Sequence, residues 1–159
     1  MNEKQKTRAR SDWLVTPVRA GSWTLSRIEI LSTVKPGKWP VARVDLQHDR
    51  RGHVFGIATG AGGLDAALNA VADIFGKDAD VIHLATHLRP SPEPARTLVS
   101  LRVRVECEDH ESEAVGGDLI IAAITAMLKV MDSIVPDGGR PSSVSPCSAC
   151  LETLAGPAT

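Results

Sequence analysis

The sequence predicts an α+β domain made of two β-β-β-α units, and three observations carry that prediction. Short apolar stretches recur between turn-forming residues. Each series of three ends in a glycine-bearing turn followed by an Ala-, Leu- or Ile-rich helical stretch. The second series repeats the first about 56 residues later, the separation of Ala66-Ala67 from Ala122-Ala123. Two copies are too few, and the period too long, for a solenoid. The halves are therefore expected to pack as one compact domain.

Residues 1–12 are polar and read as a disordered arm, leaving 13–135 for the domain and 136–159, rich in Gly, Ser and Pro, for a flexible extension. Repeat one spans about 22–76. Its strands are expected at Trp23 to Thr33, Val41 to His48 and His53 to Ala58, with Leu25, Ile28, Ile30, Val41, Val44 and Leu46 as apolar positions. Pro36-Gly37 separates the first two, and Asp49-Arg50-Arg51-Gly52 reads as a hairpin turn. The turn Thr59-Gly60-Ala61-Gly62-Gly63 then opens a helix from Leu64 to Phe75, closed by Gly76.

Repeat two spans about 80–135. Val81 to Arg89 is a strand, and the prolines of Pro90-Ser-Pro-Glu-Pro94 make a loop. Thr97 to Glu108 alternates, with Val99, Leu101, Val103, Val105 and Cys107 on the buried side. Asp109-His110-Glu111 reads as the next turn, Ser112 to Val115 as a short strand, and Gly116-Gly117-Asp118 as the turn into a helix from Leu119 to Val135.

Composition narrows the function. The 18 basic and 19 acidic residues give a net charge of −1, without the basic field that nucleic-acid or membrane-surface binding needs. Three Trp, two Phe and no Tyr offer little for stacking bases. No stretch reaches the ~20 apolar residues of a membrane span, and no apolar segment follows the charged Met1 to Arg10, so a cytoplasmic protein with reduced thiols is expected. Cys147-Ser-Ala-Cys150 has redox or metal spacing, but no second pair completes a zinc set and no βαβ context supports thioredoxin chemistry, so incidental thiols are expected.

Candidate chemistry centres on the two helix-opening turns. A helix N-terminus presents free N–H groups and a positive dipole end that suit a carboxylate or phosphate. Gly60, Gly62 and Gly63 serve equally as tight-turn and packing residues, and Asp118 equally as an N-cap. His83 and His87 share one face of a strand, without the further ligands a metal would need. The acidic run Glu106, Glu108, Asp109, Glu111 and Glu113 reads as a solvated edge. No cofactor or metal is implied.

Two β-β-β-α units, with Thr59-Gly-Ala-Gly-Gly-Leu-Asp-Ala-Ala-Leu-Asn-Ala-Val71 and Gly117-Asp-Leu-Ile-Ile-Ala-Ala-Ile-Thr-Ala-Met127 opening the helices, resemble the C-terminal regulatory, LeuA-type dimerisation domain of 2-isopropylmalate and citramalate synthases. That family's turns read T-G-x-G-P-h-D-A, with h apolar, and T-D-I-h-x-A-S. The resemblance covers Trp23 to Val135, and 159 residues leave no room for the synthases' TIM barrel, so a stand-alone domain is expected. It implies an allosteric homodimer binding leucine, isoleucine or a related small carboxylate, with a truncated synthase as a candidate partner. The matching positions are Gly60, Gly62, Leu64 and Asp65 on the first turn, Asp118, Leu119 and Ala122 on the second, and Ile82 and His83 on the neighbouring strand. The family's turn Asn and Pro are Ala61 and Gly63 here, its wall Tyr is missing, and Pro94-Ala-Arg-Thr replaces its Gly-x-Asp-Ala. A pocket rewritten in this way leaves two alternatives: an enzyme using Asp118, His83 and His87 as acid–base groups on a small carboxylate, or a ligand-free dimerisation partner.

Overall fold

Turn chemistry fixes the first sheet. The computed structural model describes residues 9–13, 17–32, 35–89 and 96–135. Strands β3 (Trp23–Ser32), β4 (Val41–His48) and β5 (Gly52–Thr59) form an antiparallel meander. Gly52 at φ 75° makes the expected β4–β5 turn, where a side chain would be strained. Two further strands, β1 (Ala9–Trp13) and β2 (Val18–Ala20), both pair with β3. Their short polar stretches carry no alternation that would announce them. All of β1 but Trp13 falls in the segment expected as a disordered arm; residues 1–8 and 136–159, with Cys147 and Cys150, fall outside the described residues.

Helix α1 (Gly63–Phe75) follows β5 and packs on β4 and β5, ending at Gly76 in the left-handed conformation. The second unit repeats the order with β6 (Ala79–Arg89), β7 (Arg96–Val105), β8 (Glu108–Gly116) and α2 (Leu119–Ile134), the last lying over β7 and β8. The repeat extends to irregularities. A β-bulge falls between Leu25 and Arg27 in β3 and between Val81 and His83 in β6, the same place in each unit. The bulge explains why Leu25 and Ile28 both face inward though three residues apart.

Between the layers lie Trp23, Leu25, Ile28, Val44 and Leu46 of the first sheet and Val99, Leu101 and Val103 of the second, each at most 2% exposed. Each such side chain contributes about 1.5–3 kcal/mol of burial. Ala42 takes the inward position beside Val44; Val41 falls on the other side of the strand and is only half-buried. The C-terminal ends of both helices converge here. Phe75 stacks edge-on to Trp23 at 4.9 Å, Ser22 Oγ donates to Asp132 Oδ1 at 3.2 Å, and Lys77 Nζ pairs with Glu106 at 2.5 Å.

One expected turn is displaced. The β7–β8 connection is not Asp109-His110-Glu111 but Glu106-Cys107, both at positive φ (50° and 71°), as a two-residue hairpin turn requires. Glu-Cys lacks the Asn-Gly or Asp-Gly signature of such a turn, and the apolar alternation runs straight into it. Cys107 therefore sits in the turn rather than on the buried side of a strand. It is also disulfide-bonded, against the expectation of reduced thiols. The acidic run becomes a cross-strand ladder: Arg104 Nε to Asp109 at 2.8 Å, Arg102 Nε to Glu111 at 2.6 Å, and Ser100 Oγ to Glu113 at 2.8 Å.

Candidate functional site

Because the units repeat, their helix-opening turns can be compared position by position. Gly60, just after β5, and Gly116, the last residue of β8, lie so close to the helix that a Cβ would collide with backbone. At Gly60 it would lie 2.7 Å from Asp65 C and closer to Ala66 N; at Gly116 it would lie 2.9 Å from Ala122 N. Ala66 and Ala122 are fully buried at the same contact. Gly60 with Ala66 in the first unit, and Gly116 with Ala122 in the second, are thus packing pairs.

The N-caps differ. Gly62 and Asp118 occupy equivalent positions, both in extended backbone. Asp118 Oδ1 accepts from Ile121 N at 2.9 Å and so caps its own helix. Gly62 has no side chain to do so, α1 carries no side-chain cap, and a Cβ added at Gly62 would meet nothing within 4 Å. Asp65 turns back instead, its Oδ2 accepting from Ala61 N at 2.8 Å, which closes the turn and adds negative charge in the first helical turn. The amide of Asn69 donates to Thr59 O at 3.0 Å and fastens β5 to the helix. Leu64 is half-buried beside this open end, and Leu119 is 37% exposed at the other.

The remaining candidates lie on β6. Ile82 is the bulged residue and is 43% exposed. His83 and His87 point to the face of the sheet opposite α2, opposite Arg102 and Leu98 in register, and are exposed. His83 edges a cleft of about 140 Å³ with Ser100, Arg102, Glu111 and Glu113, whose polar groups already pair with one another. The sheet itself separates these histidines from Asp118. Among the described residues no hydrogen bond or ion pair engages His83 or His87, and no group of three His, Cys, Asp or Glu side chains assembles as metal ligands.

Sequence reasoning missed a polar cluster on the outer face of the first sheet. Asp45 is only 4% exposed although it points away from the core. Arg43 covers it with two hydrogen bonds, at 3.0 and 2.9 Å, and His53 Nε2 lies 2.9 Å from Oδ1. Burial raises the Asp45 pKa, but the Arg43 and His53 contacts outweigh it and hold the carboxyl below the usual value. Arg43 also lies over the Phe55 ring at 4.3 Å. A single acidic letter in an alternating strand gives no sign of its cross-strand partners.

Two repeated units, each a three-stranded meander with a helix on its inner face and a glycine-opened helix start, define a pseudo-symmetric α+β module. A family model of the LeuA allosteric (dimerisation) domain matches residues 14–135. The chain belongs to that family. Comparison with curated proteins finds no match. No helix among the described residues is long and apolar enough to cross a membrane.

Proposed function

We propose that this chain is a regulatory dimerisation module that binds a small carboxylate, foremost a branched-chain amino acid, at the opening turn of α1. The observation that carries this reading is the asymmetry of the two N-caps: α2 is capped by its own Asp118, whereas α1 opens on Gly62 with free space above it. A carboxylate bound there takes the place of the missing cap. It accepts from the first N–H groups of α1 and meets the positive end of the helix dipole. Leu64 supplies an apolar neighbour for the ligand's side chain.

The test is a thermal-shift and calorimetric titration with leucine, isoleucine and their 2-oxo acids, on the native protein and on Gly62→Asp. The variant installs in the first unit the cap the second already has. It is expected to fold with a few tenths of a kcal/mol of added stability and to lose the ligand-induced shift. A ligand at 100 times its Kd adds about 2.7 kcal/mol to the native protein. An undiminished shift in Gly62→Asp removes the site from α1. No shift with any acid leaves dimerisation alone.

A further inference from the structure

The repeat shows where the domain is incomplete. In the first unit the inward residues of β3 are sealed: Leu25 is 0% exposed and Ile28 1%, beneath α1 and the reach of α2 across to β2 and β3. The equivalent strand of the second unit is β6, and its helix-side residues stand opposite the inward side of β7: Val81 opposite Val103, half-buried Leu84 opposite Leu101, exposed Thr86 opposite Val99, and Leu88 opposite half-buried Thr97. Yet within this second sheet α2 packs on β7 and β8 rather than on β6. Val81, at the position of Leu25, is 38% exposed; the bulged Ile82 is 43% exposed and Leu88 77%.

We propose that this bare helix-side face of β6 is the surface on which a second copy of the chain docks. The inference rests on the dimerisation reading and specifies its surface. The first unit shows what such a face takes, a helix of this same chain. Face burial, rather than edge-to-edge sheet extension, is the mode, because the bulge at Ile82 interrupts the β6 edge. The dimensions fit. Eleven residues of strand extend about 37 Å, and a helix is about 10 Å wide, so the face offers roughly 370 Å². In a two-fold pairing each copy contributes both a face and a covering element, roughly 740 Å² per partner, close to the ~800 Å² of a standard interface. The exposed Leu119 at the start of α2 lies at the same end of the second sheet as Leu88, since Thr97 pairs with both Leu88 and Gly116.

Analytical ultracentrifugation without added ligand tests this on the full chain, comparing the native protein with Leu88→Glu, Val81→Glu and, on the outer face of the first sheet, Ile57→Glu. Leu88 and Ile57 are both at least half exposed in the single chain, so neither charge disturbs the fold. Expected is a native dimer whose dissociation constant rises at least a hundredfold in Leu88→Glu and Val81→Glu and less than threefold in Ile57→Glu. Dimers undiminished by Leu88→Glu but broken by Ile57→Glu overturn the proposal while leaving dimerisation intact. A monomeric native protein at 100 μM overturns the dimerisation reading itself.

Discussion

Gly60 is where packing and ligand binding make different demands, and Gly60→Ala separates them. An added Cβ lies 2.7 Å from Asp65 C and closer to Ala66 N, whereas ordinary contact begins at 3.4 Å. The first turn of α1 must therefore retreat by at least about 0.7 Å, the difference between those distances. The Asp65 carboxylate, whose Oδ2 lies at 2.7 Å, can swing aside, but the other two obstructing atoms are backbone and cannot. Behind them Ala66 and Ala67 are fully buried, and a retreat opens space at the core. Overpacking of this kind costs about 1–3 kcal/mol, and the upper half of that range applies where backbone must move. At about 4 °C per kcal/mol for a domain of this size, Tm falls by about 8–12 °C. The controls come from the same comparison. Gly116→Ala, with its nearest contact at 2.9 Å, costs about 1 kcal/mol. Gly62→Ala and Gly117→Ala, with nothing within 4 Å, stay within about 1 kcal/mol of the native protein. Urea denaturation of the four variants reads the order directly. Equal stability of Gly60→Ala and Gly62→Ala refutes the close approach and returns Gly60 to the candidates for ligand contact.

Asp118→Ala removes the α2 cap and costs about 1 kcal/mol, whereas Asp118→Asn, which still accepts from Ile121 N, costs less than half of that in the same denaturation assay. Asp45→Asn weakens the pairing with Arg43 and costs about 2 kcal/mol at pH 7. The Asp45 carboxyl is held below its usual value in the folded state, so its contribution is complete above the unfolded value near pH ~3.9 and disappears as pH falls through the folded value. The stability gap between native protein and Asp45→Asn therefore narrows from pH 5 to pH 2, and a gap that widens on acidification contradicts the assignment. Alkylation of the unreduced, unfolded protein followed by peptide mass analysis leaves Cys107 unlabelled, and prior reduction makes it reactive; labelling without reduction contradicts the disulfide.

Periodicity by itself determined the two units, their order and most of the core. A side chain's inward or outward position follows from local spacing, and the repeat supplied an internal check through Ala66 and Ala122. The glycine turns were legible for the same reason, since Gly60 and Gly116 answer a backbone need that only a residue without Cβ meets. What sequence alone left undecided depends on neighbours distant along the chain. β1 and β2 exist because β3 offers one edge that β4 leaves unpaired, and the Glu106-Cys107 turn exists because β7 and β8 pair in one particular register. Asp45 is buried by Arg43 and His53, and β6 is bare because α2 reaches toward β2 and β3 instead. Burial and pairing are properties of the assembled chain, and so the difference between a capped and an open helix end at Asp118 and Gly62 took its meaning only in three dimensions.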